Sequence, residues 1–235
     1  MAHRLAGALL CGTVTWFVTW LVTWLILAVS PMRPDVAMAQ GLRSEPRYEV
    51  SGFRDARFGM TEAEVRLSAK TSFRVDDGDM TVSSNAIDGT TKLIVHVRML
   101  ESGLGDGRVE YFFGYKQHKL FQVNVVWGAD SNPQPSNNGL IAGAARLQSY
   151  FLGFGWANRS VRTGIPIDDR SVLLFSGADG KGRTVSLVVD DVQYQLGPNG
   201  LVRLVPERLY PTMVTISYTD QGSAPDVRNI ARGEF

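Results

Sequence analysis

An apolar run without a charged residue, Leu5 to Val29 and 25 residues long, splits this 235-residue chain into a leading segment and a patterned body. His3 and Arg4 precede the run, Pro31 and Pro34 follow it, and Ala37-Met38-Ala39 places a small-x-small site before Gln40. That order of basic, apolar and Ala-x-Ala parts is the pattern of a signal peptide. The run is longer than the about 7–15 residues of a signal core and reaches the about 20 that span a bilayer. Trp16, Trp20 and Trp24, each preceded by threonine, also recur every four residues and share one helix face. Two fates therefore stay open: cleavage after Ala39, or retention as an anchor whose Trp/Thr stripe packs on a neighbouring helix. In both, the basic residues stay inside and the body lies outside the cytoplasm. The expected address is periplasmic or secreted, or membrane-anchored with the body outside.

The single cysteine, Cys11, falls inside the apolar run. An exported body without cysteine has no disulfides and must stand on its core. Thiolate metal sites, iron–sulfur clusters and cysteine nucleophiles are excluded with them. Leu10 before Cys11 is not the small residue that lipidation requires. With Arg4, Arg33 and Asp35 set aside, the body carries 22 basic and 22 acidic residues. Such a neutral body has no electrostatic case for nucleic acid, and membrane contact is expected only if the leading helix is retained.

Residues 40–50 are polar, contain Pro46 and read as a linker. Thr61 and Glu64 form a capping box at the start of a short helix, with Met60 and Val65 placed as a staple. Residues 90–100 are β-branched and read as a strand. Val109–Tyr115 and Leu120–Trp127 flank Lys116-Gln117-His118-Lys119 as a β-hairpin, with Val109, Tyr111, Phe113 and Tyr115 on one face. Phe121, Val123, Val125 and Trp127 share a face of the second strand by the same period. Residues 129–135 form a second linker, and Leu140, Ala144, Leu147 and Phe151 mark a second helix ending at Gly153 or Gly155. Strands are expected at 156–161, 172–175, 184–189, 192–196, 201–205 and 213–218, with a polar tail from 220 to 235 that frays. The fold class is α+β: two helix-plus-antiparallel-sheet units, 51–128 and 136–219. They read as a tandem pseudo-repeat or as halves of one continuous sheet.

Residues 59–65, Gly-Met-Thr-Glu-Ala-Glu-Val, resemble the helix-opening motif of the small SmpA/OmlA-type envelope proteins. That resemblance implies a helix on a three-stranded antiparallel sheet in a protein that assists outer-membrane β-barrel assembly. The layout is also similar to the β-lactamase inhibitor protein family, with its tandem helix-plus-sheet units. The lipidated cysteine of the SmpA/OmlA-type proteins and the Gly-x-Pro after their first helix are absent here, so the resemblance implies fold and compartment only.

The titratable and glycine-rich residues match no catalytic or ligand-binding motif. His96 sits mid-strand and His118 at a hairpin tip, with no ligand spacing between them. No Gly-x-Ser-x-Gly elbow or Ser-x-x-Lys motif is present. Asp76, Asp77 and Asp79 fail the EF-hand order, because Thr81 and Val82 occupy the fifth and sixth places counted from Asp77. The adjacent pairs Asp168-Asp169 and Asp190-Asp191 point to opposite sides in extended chain. The glycine-rich stretches 103–107 and 177–182 precede strands, not helices, and read as turns. Neither a metal nor any other cofactor is implied.

Aromatic residues are what remain. Tyr111, Tyr115, Trp127 and Trp156 are candidates for a partner-binding patch, with core packing as the competing account. Glu110, Gln122 and Asn124 fall on the opposite, outward side. The reading is a non-catalytic envelope module that presents a sheet face or hairpin loops to another protein. Two alternatives stand beside it: a periplasmic hydrolase with a dispersed site, and an anchored protein whose Trp/Thr helix assembles a membrane complex.

Overall fold

The computed structural model describes residues 48–128, 135–206, 212–220 and 225–228. The export segment 1–39, its site at Ala37, Ala39 and Gln40, and the Trp/Thr stripe lie outside the described residues. So do most of the linkers 40–50 and 129–135.

Two short strands, β1 (Gly52–Phe53) and β2 (Ala56–Arg57), lead into α1 (Glu62–Phe73). The Glu64 carboxylate accepts from the Thr61 backbone N–H at 2.7 Å, and Thr61 Oγ1 accepts from Glu64 N–H at 3.4 Å. The expected capping box is thus formed. At the other end, Arg74 turns left-handed at φ 56° and stops the helix. After a 3-10 turn at Asp77–Asp79 come β3 (Met80–Ser84), β4 (Thr91–Glu101), β5 (Gly105–Phe113) and β6 (Leu120–Trp127). Ser136 then caps α2 (Asn137–Leu152), its hydroxyl accepting from Gly139 N–H at 3.1 Å. The remaining strands are β7 (Arg162–Pro166), β8 (Val172–Ala178), β9 (Thr184–Asp190), β10 (Val192–Leu196), β11 (Val202–Pro206) and β12 (Met213–Thr219).

Eight strands join in one antiparallel sheet ordered β3-β4-β5-β6-β12-β9-β8-β7. The protein is therefore α+β, with two helices on a large antiparallel sheet. Residues 51–128 and 136–219 each supply one helix and four strands to it, and the last strands of the two segments, β6 and β12, meet at the centre. Val125 pairs with Ile216 across that seam. β10 and β11 pair only with each other.

Period two sends Leu93, Val95, Val109, Tyr111, Val123, Val125, Ile216 and Leu187 to one face, each 2% exposed or less. Onto it pack Val65 and Ala69 of α1 and Leu140, Ala144 and Phe151 of α2. This inner face is the core, and its burial is the main stabilising term of a chain without disulfides.

Two segments outside the sheet's strands depart from expectation. Residues 156–161 form no strand; β7 begins at Arg162. The Trp156 indole donates to Phe151 O at 2.7 Å, and Ala157 N–H donates to Ala178 O at 2.9 Å. The segment is spent on folding the indole back under α2. The tail does not fray throughout either, because Asp226 and Arg228 bond to the body. Asp226 O accepts from Tyr115 N–H at 2.8 Å, and Arg228 N–H donates to Asp88 O at 2.7 Å.

Candidate functional site

The four candidate aromatics do not form one patch. Tyr111 is 1% exposed and Trp127 is 3% exposed, both on the inner face. Burial drives the Tyr111 phenol far above its ordinary range. Trp156 is half-buried, its ring centroid 5.2 Å from Phe175 and 4.8 Å from Tyr48. Tyr115 alone is substantially exposed, at 40%, in the β5–β6 turn over Gly89. Three of the four thus pack on the core, as the competing account has it.

Neither helix covers the outer face of the sheet, and no second layer lies on it among the described residues. Following the register from edge to edge, one row runs Thr81, Ile94, Glu110, Asn124, Ser217, Ser186, Ser176, Arg162. The β12 and β9 part of the face carries hydroxyls: Thr215, Ser217, Thr219, Thr184 and Ser186. On β4 and β5, Glu110 accepts from Arg108 Nε at 2.8 Å and lies 3.6 Å from Lys92 Nζ. Gln122 Nε2 donates to Asn124 Oδ1 at 2.9 Å on β6. At the seam these polar side chains surround Val126, which is 5% exposed on the same face, and one fixed ionic cluster flanks them.

His96 is exposed at one end of this sheet, beside a hollow of about 260 Å³ that Asp79 and Asp106 also line. No serine, threonine or cysteine lines that hollow, so its walls hold no hydroxyl or thiol nucleophile for the histidine to activate. His118 stands apart in the β5–β6 turn at φ 52°. Among the described residues, no group of three or more His, Cys, Asp or Glu side chains could hold a metal ion.

A larger cavity, about 460 Å³, opens on the inner face between α2, the Phe53–Arg54 segment and the β4–β5 turn. Trp127, Ile216 and Tyr218 are its lining residues from the β6/β12 seam, and Leu147, Tyr150 and Phe151 those from α2. Arg54 stacks on Phe73, 4.9 Å from the ring centroid, and donates to Leu100 O at 3.3 Å. Burial, then the neighbouring Tyr48 and Tyr150, push the Tyr218 phenol far up, so its hydroxyl stays protonated. The Trp127 indole N–H is buried without a hydrogen-bond partner. Sequence reasoning missed this cavity; its one local signal was Gly143 inside a helix, a position where close approach is the usual reason for glycine.

Compared with protein-family models, curated proteins and solved structures, the chain matches none of them.

Proposed function

We propose that this chain is an exported envelope protein that acts as a non-catalytic binding or accessory module, docking a protein partner on the outer face of its sheet. The observation that carries the reading is that open face, with short hydroxyl and amide side chains over the β6/β12 seam. Interfaces of transient complexes are about as polar as ordinary protein surface, so a polar face suits a separable partner. Export rests on the basic–apolar–Ala-x-Ala order of the first 39 residues. The resemblance to SmpA/OmlA-type and β-lactamase-inhibitor-type modules belongs to the same proposal. So does a tandem origin for the two segments, each a helix followed by strands that end at the seam.

Photo-crosslinking side chains placed at Ser186 and Ser217, with Ala145 on the exposed side of α2 as a control, test the docking face in living cells. Discrete adducts from the two sheet positions alone, lost when Thr215→Arg is added, are expected. Equal adducts from Ala145, or none from the sheet, would overturn it. A reporter fused after Phe235 that is active only inside the cell would overturn the compartment.

A further inference from the structure

The eight-stranded sheet ends in two edges, and the two are built differently. β7 closes one edge with Arg162, Gly164 at φ 61° and Pro166, and Val202 of β11 packs beside Gly164. Charge, proline and a covering element are the usual guards of a free edge. β3 closes the other edge with Met80-Thr81-Val82-Ser83-Ser84. It carries no charge, no proline and no bulge in its register with β4, and residues 81–84 are all exposed. Val82, at its middle, is 43% exposed.

The register with β4 decides which backbone groups that edge offers. Asn85 N–H donates to Thr90 O at 2.8 Å, which makes these two a hydrogen-bonded pair. Bonded and non-bonded pairs alternate along an antiparallel ladder. Ser83 and Thr81 therefore also bond across to β4, opposite Lys92 and Ile94, whereas Ser84, Val82 and Met80 turn their amides away from it. The Met80 N–H is taken by Asp77 O. Facing outward are an acceptor at Met80 and one donor and one acceptor each at Val82 and Ser84.

We infer that this edge pairs antiparallel with β3 of a second copy of the chain, about a two-fold axis at Val82. The two Val82 residues exchange N–H and C=O, and each Ser84 N–H donates to Met80 O of the other copy. Only Ser84 O is left to solvent. Side chains match under the same operation. Valine meets valine on the inner side and Thr81 meets Ser83 on the outer side, with no like charges opposed along the strand. A foreign peptide can add to such an edge through main-chain bonds, but its selectivity comes from pockets for alternate side chains. Neither hollow described above is lined by any of residues 80–84. A second copy needs no pocket, because a two-fold interface is self-complementary. The product is one continuous sheet, twice the eight strands of the single chain. So narrow a contact makes a weak, reversible dimer. Both outer faces stay open in it, so edge pairing and the docking face stand or fall separately.

Sedimentation equilibrium of the protein purified from cells expressing the full chain, from micromolar to sub-millimolar concentration, tests the pairing. A reversible monomer–dimer equilibrium is expected. Val82→Pro removes the outward N–H and none of the ladder bonds to β4. It is expected to weaken the dimer at least about tenfold, the scale of two lost hydrogen bonds, with the melting temperature of the dilute protein little changed. Val82→Lys and Val82→Glu each set like charges against each other across the axis and are expected to dissociate. Mixed in equal amounts, the two should pair again, and only with each other. A photo-crosslinking side chain at Thr81 should join two copies. A protein monomeric at every concentration, a dimer indifferent to all three substitutions, or charge variants that do not recombine would each overturn the inference. Crosslinks from Thr81 to a different protein alone would overturn the second copy as occupant. If Val82→Pro fails to fold, the Lys and Glu variants, on an exposed side chain, still decide.

Discussion

Gly143 of α2 and Leu104 of the β4–β5 turn meet so closely that a Cβ added at position 143 would lie 2.1 Å from Leu104 Cδ2. This contact fixes how far α2 stands from the sheet, and so sets one wall of the inner-face cavity. In an isolated helix, Gly→Ala gains about 1 kcal/mol. Leu104 is 1% exposed and its side chain must shift to admit the methyl, so overpacking of about 1–3 kcal/mol opposes that gain. Gly143→Ala is therefore expected to lower stability by about 1 kcal/mol net in denaturant titrations. The double variant with Leu104→Ala should be more stable than the sum of the single effects. A Gly143→Ala protein that melts higher than the parent would refute the contact.

Asp179 is 4% exposed in the β8–β9 turn and is held by three backbone donors. Val50 N–H reaches Oδ2 at 3.0 Å, while Lys181 and Arg183 N–H reach Oδ1 at 2.8 and 2.9 Å. One carboxylate thus closes the turn and ties the incoming chain at residue 50 to it. Asp179→Ala strands all three donors and is expected to cost about 2–4 kcal/mol. Asp179→Asn retains one acceptor oxygen and should cost about half as much. Hydrogen exchange at Val50 should accelerate in both. Unchanged exchange there would show that the tie does not hold the segment.

Asp226 does for the β5–β6 turn what Asp179 does for β8–β9. Its Oδ2 accepts from Gln117 N–H at 2.8 Å and from Lys116 N–H at 3.2 Å. Asp226→Ala is expected to lose about 1 kcal/mol and to speed amide exchange at Lys116 and Gln117. Exchange in the core strands should shift only by that global loss. If the two turn amides exchange no faster than the core shift accounts for, the tail contact contributes nothing in solution.

What the sequence discloses follows how local each cause is. Thr61 and Glu64 lie three residues apart, and the helix they open is where they put it. The hairpin at 109–127 was legible from alternation, but not its end. β5 stops at Phe113, and the register shift opposite Phe112 and Phe113 turns Leu120 inward, to 1% exposure, leaving Phe121 half-buried. Alternation carried mechanically through a bulge assigns both residues wrongly. β3 was missed because an edge strand buries one side chain, Met80, and shows no alternation. β7 was missed because Gly164 and Pro166 read as a turn. The β6/β12 seam joins residues about ninety positions apart, and no local pattern records it. The cavity is less legible still, for Phe53, Trp127, Arg146 and Tyr218 come from four separate segments.

The capping box yields a prediction whose sign follows from its hydrogen bonds. The Glu64 carboxyl is held below the ordinary carboxylate range, first by the Thr61 backbone N–H and then by the Thr61 hydroxyl. A carboxylate with a depressed folded-state pKa stabilises the fold at pH values above its unfolded pKa, about 4.3. That contribution is lost as pH falls through the lower, folded-state value. Glu64→Gln should therefore melt below the parent at pH 7, and the gap should close on acidification through and below pH 4. Thr61→Ala removes the hydroxyl that caps Glu64 N–H as well. It is expected to cost about 1 kcal/mol at neutral pH and to keep part of that deficit in acid. Melting curves of the three proteins between pH 2 and 7 decide the matter. A Glu64→Gln deficit that stays constant over that range would mean that the carboxylate's charge takes no part in holding the helix end.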